Sequence, residues 1–178
     1  MDLTALNRQM DADLAQGDLP FLVVGTAGSV STGAVDPLGA IADICGARNV
    51  WFHVDGAYGG FAAATPGAPE DLSALSRADS VAVDPHKWMY APLEAGCALV
   101  RHADHLRQAF AYHPPYYHMD EHVQNFVDYG LQNSRGFRAL KVWLALRQAG
   151  AAGYREVIAE DMRLSRVLAD AVSRHPLL

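Results

Sequence analysis

Residues 50–60 read VWFHVDGAYGG and residues 79–88 read DSVAVDPHKW. Each is a short apolar run that meets a carboxylate and then turns on glycine or proline. Continuous apolar runs bounded by turn residues are the pattern of strands buried in a parallel sheet. Between them, residues 70–77 carry a short helical pattern. Strand, helix and strand make one βαβ unit. That unit decides the fold class: an α/β domain with a mainly parallel sheet flanked by helices on both faces.

The same alternation extends in both directions. Upstream, Leu3, Leu6, Met10 and Leu14 recur at helical spacing over residues 2–16, and Gly17 ends the run. FLVVG at 21–25 reads as a strand, followed by the loop TAGSVSTGAVDP. Asp36-Pro37 predicts a helix start with Pro37 at the first helical position, and Leu38, Ile41, Ala42 and Cys45 fall on one face. Downstream, GCALV at 96–100 predicts a fourth strand. Residues 111–135 hold Pro114, Pro115, four tyrosines and three histidines with no clean period. A loop of that length is functional or disordered. Residues 136–149 and 153–175 predict two helices, with Phe137, Leu140, Leu144 and Leu146 as an apolar face and Gly150 and Gly153 marking the break.

Composition excludes several classes. Two cysteines in 178 residues cannot staple a fold. A net charge of −6 without a basic run argues against a nucleic-acid partner. The apolar stretches are interrupted well before the roughly 18 residues of a membrane span. The N-terminus, MDLTALNRQMDADL, lacks the basic start and apolar core of a signal peptide, so a reduced cytoplasmic setting is expected.

Ligands of open α/β sheets sit beyond the carboxyl ends of the strands. Thr26 follows the first strand, Asp55 the second, and Asp84-Pro85-His86-Lys87-Trp88 the third. A lysine between His86 and Trp88 is expected to be partly desolvated, which favours the neutral amine used in Schiff-base chemistry. Each group alone has a plainer reading, as an exposed lysine or a capping carboxylate. Together they match pyridoxal phosphate (PLP), which needs a lysine at its aldehyde and an acid at its ring nitrogen.

HVDGAYGG and DSVAVDPHKW, with TAGSVSTGAVDPL and QNSRGFRALKVWLALRQAG in the same order, resemble the PLP-dependent group II amino-acid decarboxylases of the aromatic-amino-acid and glutamate decarboxylase type. The resemblance runs from about residue 3 onward. It implies the aspartate-aminotransferase-like fold, fold type I. Residues 1–110 would be part of the cofactor-binding large domain and 111–135 a catalytic lid loop. Residues 136–178 would be helices leading toward a C-terminal small domain outside this chain. It also implies PLP as cofactor, decarboxylation of an L-amino acid to its amine and CO2, and a cytoplasmic homodimer. By matching motif, Lys87 holds the cofactor, Asp55 pairs with the ring nitrogen, and Ala57 packs beneath the ring. Thr26 stands at the cofactor's edge, and His86 lies close to the phosphate and the lysine. Asp84 falls at a phosphate-side position, and His53 supports the aspartate loop. Tyr116, with Tyr117 adjacent, matches a lid tyrosine that protonates the carbon left by CO2.

The chain departs from the family pattern in three places. It is much shorter than family members. Asp84 stands where asparagine is common, and its charge would repel a phosphate. Gly56 stands where alanine is common. These departures keep two other readings open: a non-catalytic remnant or partner subunit, and a same-fold enzyme performing transamination or aldehyde formation.

Two rival motifs carry less. His118-Met119-Asp120-Glu121-His122 fits the H-x-x-E-H zinc pattern. It follows a double proline inside an irregular loop and lacks the helix that zinc ligation at this spacing requires, so no metal is expected. Ser29 and Ser31 lie in a glycine-rich loop without a G-x-S-x-G elbow.

Overall fold

The computed structural model describes residues 1–118 and 123–177. Met119 to His122, four of the five residues of the zinc-like pattern, lie outside the described residues. Helix α1 (Leu3–Gln16) begins where the Asp2 carboxylate accepts from the Thr4 and Ala5 amides at 2.8 and 3.0 Å. It ends at Gly17, whose φ of 90° only glycine takes at little cost. Strand β1 (Leu22–Thr26) and helix α2 (Leu38–Arg48) follow. Strand β2 spans Trp51–Asp55, β3 Ser80–Val83 and β4 Cys97–Val100. Between β2 and β3 the chain forms 3₁₀ segments at Gly60–Ala64 and Glu70–Arg77. The helix expected over 70–77 is therefore the tighter form.

The sheet order is β1-β2-β3-β4, with the first two pairings parallel. β4 runs antiparallel to β3. The cause lies in residues 84–96, which contain turns and no helix, so no helical crossover carries the chain back to the other end of the sheet.

Val23, Gly25, Phe52 and Val54 point inward beneath Leu38, Ile41, Ala42 and Cys45, the face of α2 that the sequence marked. Leu72, Ala74, Met10 and Ile158 belong to the same core. The opposite face is nearly bare. Leu22 and Val24 there are each 43% exposed. Helix α3 (Ala103–Phe110) reaches this side through His105, whose ring lies 5.5 Å from that of Trp51. Helices on both faces were expected, and the described residues cover one.

Helix α4 (Arg138–Arg174) is broken at Gly150, where φ is 65° and ψ 174°, so the two predicted helices are joined by a kink. Ile158 is its one buried residue among those described. Phe137, Leu140, Leu144 and Leu146 form a stripe as expected, but all four are exposed. The apolar pattern is present without a described element to receive it.

The expected cap at Asp36-Pro37 also differs. Pro37 precedes the helix, and no side chain caps α2. The Asp36 carboxylate instead accepts from the Thr26 amide at 2.9 Å and pairs with the Met1 ammonium. The Asp36 amide donates to the Thr26 carbonyl at 2.9 Å. This two-way contact fixes the end of β1.

Leu38 is fully buried, so Leu38→Ala should cost about 2–5 kcal/mol in chemical denaturation. Leu168→Ala, at a site 66% exposed, should cost about 0.5 kcal/mol or less. Equal costs would contradict this core. Burial raises the Asp36 carboxyl, but the Met1 ammonium and the Thr26 amide outweigh it and hold it below its ordinary value of 3.8. Its stabilisation is therefore complete above the ordinary value and lost as pH falls through the lowered one. Asp36→Asn should be less stable by about 1 kcal/mol near neutral pH. The gap should close below pH 3.8. A gap that persists in acid would contradict the assignment.

Candidate active site

Parallel register sets the site. Thr26 pairs with Asp55, and Asp55 with Ala82, so the ends of three strands form one row. Neighbouring strands stand about 4.8 Å apart. Side chains alternate along a strand, so Thr26 shares a face with Leu22 and Val24, and Asp55 with Trp51 and His53. That face is the bare one. Asp55 is exposed, and its Oδ1 accepts from the Ala57 amide at 3.1 Å. Its other oxygen has no hydrogen-bond partner among the described residues.

The loop after Asp55 is pressed between two neighbours. The Gly56 amide donates to the Ala82 carbonyl at 2.9 Å, and the Gly59 amide to the Ala27 carbonyl at 3.0 Å. A Cβ on Gly59 would meet the Ala27 oxygen at 2.5 Å, so the approach requires glycine. Ala57 sits half-buried at the head of this loop.

Beyond β3 the chain turns at once. The Lys87 amide donates to the Asp84 carbonyl at 2.9 Å, with Pro85 second in the turn. Asp in the first position and Pro in the second are favoured residues for such a turn. The turn brings Lys87 Nζ to 2.8 Å from Asp84 Oδ2. The expected desolvation of Lys87 is not what the structure shows. Its side chain is 37% exposed. Trp88 packs edge-on against Tyr58 at 5.4 Å, and His86 Nδ1 lies 2.7 Å from the Ala95 carbonyl oxygen. A carboxylate, rather than an apolar wall, is the nearest influence on the amine. Asp84 likewise faces the lysine, with His86 Nε2 3.8 Å from the same oxygen.

Lys87 lines a cleft of about 490 Å³ with Tyr58, Trp88 and Tyr90 and, across it, Asp161 and Arg166 of α4. Asp55 and Thr26 are not among its walls. Tyr90 donates to the Asp161 carboxylate, which holds the phenol above its usual range. Tyr116 stands apart from the row. It is 73% exposed, packs edge-on against Tyr117 at 5.1 Å, and hydrogen-bonds none of the other candidates among the described residues. His113 Nε2 lies 2.7 Å from the buried Asp128 carboxylate, which ties the start of the 111–135 segment to its middle.

Two groups near the site escaped the sequence reading. Asp36 holds Thr26 in place, yet before proline it reads as a helix start. Ser80 accepts from Trp51 Nε1 at 2.8 Å and lies 2.7 Å from His53 Nδ1. The Trp51 nitrogen can only donate, so Ser80 accepts from it and bonds His53 as well. His53 thus rests on Ser80, not on the aspartate loop. Alternation of β3 against β2 was the signal available for Ser80.

The donor set can be tested against PLP by its chemistry. An amine, a carboxylate with a spare oxygen, a hydroxyl and a small residue stand at the ends of adjacent strands. That set suits an aldehyde on a basic ring. The Asp84 carboxylate adds nothing favourable for a phosphate.

Comparison with known proteins agrees. The chain is 38% identical to the aromatic-L-amino-acid decarboxylase of Bacillus atrophaeus over 169 residues, 93% of this chain and 35% of that protein. The structure of mouse CSAD in apo form matches with a TM-score of 0.90 and 33% identity, over 99% of this chain and 37% of that one. The structure of Oryza sativa TDC with PLP and tryptamine matches with a TM-score of 0.90 and 34% identity, over 98% and 36%. The chain thus spans about a third of the length of the relatives it matches. The expected α/β architecture of fold type I stands, with β4 antiparallel at its edge. A family model, the pyridoxal-dependent decarboxylase conserved domain, matches residues 1–176, and the chain belongs to that family.

Proposed function

We propose that this chain is the lysine-bearing part of an enzyme that decarboxylates an L-amino acid to its amine and CO2. The observation that carries this reading is the in-register row Thr26, Asp55 and Ala82, with Lys87 just past the end of the third strand. When bound, PLP supplies an electron sink for the pair left behind as CO2 departs. Each protein group has its own task. Lys87 would hold the cofactor at its aldehyde. Asp55, through the oxygen not spent on Ala57, would face the ring nitrogen and favour its protonated form. Thr26 holds the cofactor's edge, Ala57 leaves room for the ring, and His86 is fixed on the Ala95 backbone beside the lysine. Tyr116, or Tyr117 beside it, delivers the proton to carbon when segment 111–135 closes as a lid. Tyr116 is exposed, which suits a group that must travel.

Residues 1–110 would supply part of the cofactor-binding large domain, and 136–178 would lead toward a C-terminal small domain. Among the described residues no helix is long and apolar enough to cross a membrane. We infer a cytoplasmic homodimer for the whole enzyme, in which further chain covers the bare sheet face.

Incubation of the chain with PLP, borohydride reduction and peptide mapping tests this reading. One phosphopyridoxyl group on Lys87 is expected, lost in Lys87→Ala. Equal labelling of Lys87 and Lys141, the two lysines of the chain, would contradict it, as would no labelling. The face bearing Thr26 and Asp55 is open to water, and catalytic desolvation is therefore absent. The 178-residue chain alone should release little CO2. Steady release that Lys87→Ala abolishes would overturn that expectation.

A further inference from the structure

Asp84 sits two residues before the His-Lys pair, and nothing in the chemistry above assigns it a task. Its position is nonetheless well defined. Oδ2 stands 2.8 Å from Lys87 Nζ. Oδ1 stands against Gly96, where an added Cβ would meet it at 3.4 Å. The carboxylate is thus seated between the lysine and the chain entering β4, and is itself only 22% exposed.

Asp161, Glu94 and Asp55 have contacts of their own. Asp161, across the cleft on α4, accepts from Tyr90. Glu94 is paired with Arg138 through two contacts, one at 2.9 Å to Nε. Asp55 turns its Oδ1 to the Ala57 amide. Among the described residues Asp84 is the one carboxylate bonded to Nζ. An ammonium held in that way offers no lone pair, and the lysine must leave the carboxylate before it can bond to a carbonyl carbon.

We propose that Asp84 is a positioning residue that latches Lys87. Through the short turn it holds the amine as a paired ammonium, and the pair must open before Lys87 takes an aldehyde. This rests on the reading of Lys87 as the cofactor lysine. The latch gives Asp84 a use at a place where its charge would otherwise only oppose a phosphate.

Acetic anhydride tests the latch independently of the cofactor reading, because it acylates any unprotonated amine. The 178-residue chain is treated at one pH with limiting reagent, and acetylation of Lys87 is measured relative to Lys141 by peptide mass spectrometry. In Asp84→Asn the Lys87 to Lys141 ratio should rise about threefold, the scale of a half-exposed ion pair. Asp84→Glu should keep the ratio closer to that of the parent chain. Added salt screens such a pair, so the ratio in the unaltered chain should rise with ionic strength. A ratio that neither Asp84→Asn nor salt changes would overturn the latch. The salt series requires no variant to fold. If the latch holds while borohydride finds no cofactor on Lys87, the cofactor reading fails and the ion pair stands.

Discussion

The register of three parallel strands is the constraint on which the site depends. Each β1 residue from Leu22 to Thr26 has a fixed partner in β2, and the last of these pairs joins Thr26 to Asp55. A slip of one residue would turn Thr26 or Asp55 into the core and Val23 or Val54 out of it. The buried side chains of the core prevent that slip. Val54, Leu38 and Ile41 are wholly enclosed, and Gly25 leaves room for α2: a Cβ there would meet Leu38 at 2.7 Å. The apolar face thus determines which polar groups stand on the other.

That other face bears Thr26 and Asp55 and is also where the sheet is least covered. Leu22 and Val24 are exposed there, and β1 is an edge of the sheet. An exposed edge with apolar side chains is prone to pairing with another chain. The stripe on α4 that includes Trp143 and Leu144 adds to the uncovered surface. On the bare face Asp55 keeps a spare carboxylate oxygen and Thr26 faces outward. Both are suited to a ligand only when something excludes water from them.

Much of this was legible in the sequence because periodicity reports burial directly. The face of α2 was read residue for residue, since its four apolar positions have no competing use. The strand ends shifted by one because Thr26 and Asp55 are polar yet still paired in the ladder. The bare face was not legible: Leu22, Val23 and Val24 form one apolar run, which reads as buried on both sides. The direction of β4 turned on a connection without a helix, which two prolines, Pro85 and Pro92, only suggest. Lys87 was read from its flanking His86 and Trp88, whereas its decisive neighbour lies three residues back. The Asp-Pro turn brings first and fourth residues together, so that signal was present in DPHK.

In the proposed site the carboxyl ends of β2 and β3 present Asp55 and Lys87 to a single ring. PLP enriched in nitrogen-15 at the ring, bound to the chain and to its Asp55→Asn variant, tests it by NMR. A protonated-ring shift in the unaltered chain, replaced by a neutral-ring shift in the variant, is the predicted result. The same shift in both, or a neutral ring in the unaltered chain, would contradict the claim.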